Sequence, residues 1–193
     1  MINSLVLNAW GDESYRTAGV ERPSYLLGAA VADVSRSEDM RAELQRLPRR
    51  GPKLHWREQD RLARDASIAT ITDFDVYHVV VIAAPVDYRR QERARALCLE
   101  RLAWQLDGHG VQLLTLEARP LQLMQRDFRT IDALRGKHAL PAGLRIDHAQ
   151  PSEEPMVWIA DQVLGALGEK MSGGRSDWFD AVSSSATIEQ IQL

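Results

Sequence analysis

Residues 76–86 form an almost continuously apolar run, rich in β-branched side chains and interrupted only by Tyr77 and His78. Such a run is typical of a central strand that is covered on both of its faces. A strand of this kind needs helices packed against each side of its sheet. The run therefore favours an α/β fold.

The remaining segments predict further strands and the helices between them, from short apolar runs and amphipathic stretches respectively. The predicted strands are residues 4–10, 25–34, 76–86, 111–116 and 143–146, with a short strand at 53–56. The predicted helices are residues 37–47, 58–72, 88–106, 121–134 and 154–171. Their order predicts a mixed sheet with helices on its faces.

The length and apolar content bound the number of domains. With 193 residues and 45% apolar side chains, the chain can build one continuous core but not two comfortable ones. We expect one domain over residues 1–171, followed by a loop-like tail over residues 172–193. Trp178 and Phe179 in that polar tail predict docking onto the domain or onto a second subunit, so a homodimer is one expectation.

Net charge gives little guidance to partners, because a value of −3 exerts no strong pull on nucleic acid or anionic membrane. A polyanion would have to meet a local basic patch. The 24 basic residues include only three lysines, and guanidinium suits phosphate better than ammonium does, although a codon bias towards arginine explains the count equally well. The single cysteine, the lack of a signal-like N-terminus and the absence of membrane-length apolar runs predict a cytoplasmic protein.

Acidic residues follow three of the predicted strands. Asp12 and Glu13 come after the first strand, Glu117 after the strand at 111–116, and Asp147 after the last one. Strand ends line the binding crevice of open α/β sheets. A single acid in such a place is more often a helix cap or a turn residue, but three instances favour a shared site.

Asp161 stands out because it lies in the apolar stripe of its own predicted helix, among Val157, Trp158 and Leu164. A buried carboxylate must be paired, protonated or bound to a metal. The structural alternative is a salt bridge to one of the arginines.

These residues resemble a bacterial family catalogued as domain of unknown function 3800, which is similar in fold to ribonuclease H and the retroviral integrases. The resemblance spans about residues 4–170. It is carried by Gly11-Asp12-Glu13-Ser14 after the first strand, by the strand that ends in Glu117, and by Trp-Ile-Ala-Asp-Gln-Val-Leu-Gly-Ala at residues 158–166.

The resemblance implies a ribonuclease-H-like nuclease whose metal-binding acids are Asp12, Glu117 and Asp161, with Glu13 and Asp147 as additional ligands or orienting groups. Oxygen ligands of this kind suit Mg²⁺ or Mn²⁺. Two such ions can activate a water and stabilise the leaving oxygen during hydrolysis of a phosphodiester. In that arrangement Asp12 bridges the ions, Glu117 holds one and Asp161 holds the other.

Two basic segments could contact the phosphates of a nucleic-acid substrate, RNA or DNA. The first contains Arg49, Arg50, Lys53, His55 and Arg57, and the second contains Arg89, Arg90 and Arg93. The first segment is favoured, because Lys53 and His55 would share one face of a strand. For both segments, a solvated protein face is the structural alternative.

Two other functions compete with the nuclease. A catalytically inactive protein of the same fold could serve as an interaction module, for example in a defence or toxin-related locus. A phosphohydrolase of small substrates could use the same carboxylates. Metal-dependent cleavage of nucleic acid separates the nuclease from the inactive module.

Overall fold

Six strands form one mixed sheet in the computed structural model, which describes residues 5–193. The strand order is β5-β4-β1-β2-β3-β6. β1 and β2, and β2 and β3, pair antiparallel, whereas β4 runs parallel to both β1 and β5, and β6 runs parallel to β3. The strands are β1 (Leu7–Arg16), β2 (Ser24–Asp33), β3 (Tyr77–Ala83), β4 (Val111–Glu117), β5 (Arg145–Ala149) and β6 (Ala186–Ile191).

Helices cover both faces of the sheet, which confirms the predicted α/β architecture. They are α1 (Ser37–Arg46), α2 (Arg61–Thr72), α3 (Gln91–Gly108), α4 (Leu121–Gly136), α5 (Val157–Met171) and α6 (Asp177–Val182). One apolar core joins α1, α2, α5 and α6 to the face that carries Trp10 and Leu26. The other joins α3 and α4 to the face that carries Ala9 and Leu27. The central strands β2 and β3 are buried almost throughout, as their apolar content predicts.

The first strand is longer than predicted, and its predicted end at residue 10 is wrong. β1 continues through Gly11 and Asp12 to Arg16. Gly11 is paired on both sides, with Ala29 and Leu116. A Cβ atom at Gly11 would lie 2.9 Å from the carbonyl oxygen of Gly28, so this glycine permits close strand packing and does not end the strand. Residue 4, the predicted start, lies outside the described residues.

Two other predicted elements are also wrong. Residues 53–56 form no strand, and a single 3-10 turn, Trp56–Glu58, begins there instead. The backbone N–H of Trp56 donates to the Asp161 side chain, not to a neighbouring strand. The tail after Ser172 is ordered into α6 and β6, although its glycine and serine content resembles a loop.

Packing inside the same chain accounts for the apolar residues of the tail. Trp178 and Phe179 are buried in the core beneath α2 and α5. The indole of Trp178 meets that of Trp56 edge to face at 5.2 Å, and its N–H donates to Asp65 over 2.7 Å. Among the described residues, no helix is long and apolar enough to cross a membrane.

Candidate functional site

The parallel strands β1 and β4 place two acids side by side. Gly11 pairs with Leu116, so the next residues, Asp12 and Glu117, are neighbours on one face of the sheet. α5 packs across β1 and β2 on this same face and supplies Asp161. The three carboxylates, which are distant in sequence, line one cavity of about 240 Å³.

The ammonium group of Lys53 lies among these three carboxylates. Its Nζ is 2.5 Å from Glu117 Oε2, 3.4 Å from Asp12 Oδ2 and 3.9 Å from Asp161 Oδ1. The side chains of Asp12 and Asp161 are 10% exposed, and those of Lys53 and Glu117 are 17% exposed. The sequence segment predicted to bind phosphate therefore contributes a cation to the acidic cluster itself.

Burial and mutual charge perturb the ionisation of this cluster. Burial raises the pKa of Asp12 well above its usual value, and the nearby charges of Glu117 and Asp161 raise it further, against the lowering effect of Lys53. Burial opposes the charged form of Lys53, but the three carboxylates outweigh it and raise the pKa of Lys53 to about 12. The lysine is therefore a permanent cation near neutral pH.

Asp161 has several polar partners, and among the described residues none of them is an arginine. Its Oδ2 accepts from the backbone N–H of Trp56 at 2.7 Å and from the amide of Gln162 at 3.1 Å. Its Oδ1 lies 3.2 Å from Nδ1 of His55, and the close carboxylate raises the pKa of the imidazole. The structural alternative of an arginine salt bridge is therefore wrong.

Gly165 explains how the turn at Trp56 can approach α5 so closely. A Cβ atom there would lie 2.2 Å from Cγ of Trp56, so any side chain would displace the indole. The close approach is to a tryptophan ring, and it brings the Trp56 backbone within reach of Asp161 one turn earlier on the helix.

The donor set suits a hard divalent cation. Within residues 5–193, no three His, Cys, Asp or Glu side chains form a ready-made metal cluster. Three carboxylates nevertheless converge on a single positive charge, and carboxylate oxygens are the ligands that Mg²⁺ and Mn²⁺ prefer. Lys53 carries that charge on a flexible four-carbon stem. Asp12, Glu117 and Asp161 therefore fit a metal ion if the ammonium moves away.

The structure does not bring Glu13 or Asp147 into this cluster. Glu13 follows Asp12 on a strand, so it points to the opposite face, where it pairs with Arg95 and Arg119. Asp147 is exposed on β5, and its Oδ1 accepts from the backbone N–H of His148. Asp147 pairs with Thr115, whereas the residue that pairs with Glu117 is Ala149. Asp147 therefore lies two residues away from the carboxylates along the strands.

The predicted phosphate contacts divide between two neighbouring cavities. Lys53, His55 and Arg57 line the carboxylate cavity. Arg49 and Arg50 line an adjacent cavity of about 180 Å³, which shares His55 with the first. The guanidinium of Arg49 lies over the ring of Trp158, 5.2 Å from its centroid.

Arg16 is a cavity residue that the sequence analysis missed. Its guanidinium donates to the carbonyl oxygens of Leu164 and Gly165, at 3.2 and 3.4 Å. Burial and the neighbouring Arg57 lower its pKa. Positions 12, 14 and 16 share one face of β1, so a strand predicted to continue past Gly11 would have identified it.

Comparison with solved structures gives the fold its class: the chain has a ribonuclease-H-like fold. A chain from the structure of the PCNA:RNase HII complex of Archaeoglobus fulgidus matches with a TM-score of 0.57 and 11% identity, over 86% of this chain and 74% of that one. Bst-RNase HIII in complex with Mn²⁺ matches with a TM-score of 0.48 and 15% identity, over 94% and 55% respectively. No protein-family model and no curated protein matches the sequence.

Proposed function

We propose that the chain is a nuclease-like hydrolase that cleaves phosphodiester bonds with Mg²⁺ or Mn²⁺ held by Asp12, Glu117 and Asp161. The convergence of these three carboxylates on one cation position carries the proposal. The ribonuclease-H-like fold and the resemblance of the acidic motifs to the family of unknown function support it. Membership of that family is part of the same proposal.

The bound metal would activate a water molecule and polarise the phosphate oxygens. The residues around it orient the carboxylates. Trp56 N–H and Gln162 fix one oxygen of Asp161 and leave the other directed towards the cluster. Glu13 neutralises Arg95 and Arg119 on the reverse face, so β1 is anchored directly beside Asp12.

Phosphate binding falls to the cations of the two neighbouring cavities. Arg16 and Arg57 line the carboxylate cavity, and within the described residues neither forms an ion pair with an acid. Arg49 and Arg50 extend the basic surface beyond His55. A lysine released from the carboxylates would join them, since an ammonium binds phosphate as a point charge.

The position of Lys53 also supports a second candidate function. If the ammonium stays among the carboxylates, it satisfies them internally and the fold serves as an interaction module without catalysis. The two candidates differ in one property, which is whether a divalent ion can replace the ammonium.

Cleavage assays test the proposal. Labelled RNA, DNA and RNA–DNA hybrid are incubated with the protein in Mg²⁺, in Mn²⁺ and in chelator. We expect cleavage only with metal, loss of cleavage in Asp12→Asn, and retention in Asp132→Asn, a matched change of an exposed acid on α4. Cleavage that survives Asp12→Asn would overturn the proposed role of Asp12, and metal binding without any cleavage would favour a small phosphoester as substrate.

A further inference from the structure

A third cavity, the α3–α4 groove, opens between α3 and α4, on the face of the sheet opposite to the carboxylate cluster. Its volume is about 350 Å³. Ala96 and Leu99 give it an apolar floor, and Thr130 adds a hydroxyl. Four arginines and two acids complete its wall, namely Arg93, Arg95, Arg126, Arg129, Glu92 and Asp127.

The two acids in this wall are already neutralised. Asp127 is 3% exposed and receives a two-pronged contact from Arg95, at 2.7 and 2.8 Å. Glu92 pairs with Arg119. Arg95 is itself occupied by buried partners, because its remaining terminal nitrogen contacts Glu13 and the Tyr25 hydroxyl.

Three cations of the groove are therefore left over. Arg93, Arg126 and Arg129 are exposed, and in the described part of the chain none of them forms an ion pair within 4.0 Å. A concave surface with three uncompensated guanidinium groups is an attractive site for phosphate.

The groove lies at the same end of the sheet as the carboxylates. Arg95, in the groove wall, contacts Glu13, the residue next to Asp12. Arg119, two residues after Glu117, contacts both Glu13 and Asp127. One ionic network thus lies between the two cavities, at the end of the sheet where β1 and β4 carry Glu13 and Glu117. A nucleic-acid strand bound at the carboxylates would reach the groove by passing over this end of the sheet.

We propose that the α3–α4 groove binds the backbone phosphates of a nucleic-acid strand whose reacting bond lies in the carboxylate cavity. The inference rests on the proposed function. Arg126 and Arg129 lie on α4 and Arg93 lies on α3, so arginines from both helices line the groove and contact the phosphates. The apolar floor contacts a sugar or the edge of a base, which favours a strand over an isolated anion.

Binding of a labelled single-stranded oligonucleotide, followed by fluorescence anisotropy in chelator, tests the groove without catalysis. The groove variant is Arg126→Glu with Arg129→Glu. The control is Arg36→Glu with Arg145→Glu, two exposed arginines at the opposite end of the sheet. We expect the groove variant to bind at least ~10-fold more weakly, with a salt slope shallower by about 1.4 for two lost phosphate contacts. The control should stay within about twofold, because its charges contact no phosphate.

Equal losses in the two variants, an unchanged salt slope or no binding by the wild type would overturn the groove. Release of the oligonucleotide by inorganic phosphate at a concentration equal to that of the oligonucleotide would overturn the groove as well, because this result would indicate a site for an isolated anion. Metal-dependent cleavage by the wild type, measured separately, decides the proposed function. If the groove variant loses affinity but the wild type never cleaves, the groove is a binding site for nucleic acid and the proposed nuclease activity is wrong.

Discussion

Replacing Lys53 with methionine removes the cation from the carboxylate cluster and keeps a side chain of similar length. In chelator, the variant faces three acids that are only 10 to 17% exposed and no longer share an ammonium. Removing one partner of a buried ion pair costs about 3–5 kcal/mol, and the residual exposure reduces this to roughly 2–4 kcal/mol. For a chain of this size we expect a melting midpoint lower by roughly 4–16 °C.

Divalent metal should narrow the difference in stability between the two proteins. In the wild type a metal ion must displace the Lys53 ammonium, whereas in Lys53→Met the acids have no competing cation. We expect Mn²⁺ to bind the variant at least tenfold more tightly by calorimetry, a gain of about 1.4 kcal/mol. Metal should therefore raise the melting midpoint of the variant more than that of the wild type.

Lys170→Met is the matched control, because Lys170 forms a half-exposed pair with Asp180 at the surface. Its stability should change by less than about 1 kcal/mol, with no change in the response to metal. A Lys53→Met protein that is as stable as the wild type in chelator and binds Mn²⁺ no better would refute this reasoning. The lysine would then have no energetic role among the carboxylates.

Three further changes probe other parts of the account. Asp12→Asn should melt in chelator at or above the wild-type temperature, because burial already favours the neutral form of the Asp12 carboxyl group. The variant should also lose most of the stabilisation that metal gives the wild type. A large loss of stability in chelator would contradict this prediction. Asp127→Asn should lower the free energy of unfolding in urea by about 3–5 kcal/mol, because Arg95 stays buried with one carboxylate fewer. The change of the exposed Asp132 to Asn should leave that free energy nearly unchanged. Equal effects of the two changes would contradict a stabilising ion pair between Arg95 and Asp127. His78 is buried, which lowers its pKa to about 4, so stability that is present above pH about 6.5 should be lost as the pH falls from there through 4, by about 1.4 kcal/mol per pH unit. His78→Leu should flatten this loss of stability between pH 7 and 4.5. A parallel loss in both proteins would exclude His78 as its source.

The sequence predicts the layers of this fold better than its strand ends. Apolar periodicity identified β2, β3 and the five longer helices, because each buries one continuous stripe or run. The end of β1 was predicted wrongly at residue 10, because in a sequence a glycine that permits close strand packing looks the same as one that ends a strand. β6 was missed for a related reason: it is a half-buried edge strand whose partner, β3, lies more than a hundred residues earlier.

The candidate site divides in the same way. Asp12, Glu117 and Asp161 carry a local signal, an acid in or after an apolar run, and the structure brings them together. Glu13 carries the same signal but points to the reverse face, because successive strand residues alternate. The place of Lys53 among the acids depends on a loop between α1 and α2, which has no periodicity to read. Only tertiary structure could reveal it.

A crystal structure of the protein soaked in Mn²⁺, with anomalous data collected at the manganese edge, tests directly whether Asp12, Glu117 and Asp161 bind a metal ion. We expect an anomalous peak within coordination distance, roughly 2.1 Å, of oxygens from Asp12, Glu117 and Asp161, with the Lys53 ammonium displaced from its present contacts. Electron density that keeps Lys53 between the three carboxylates, with no manganese peak beside them, would contradict it.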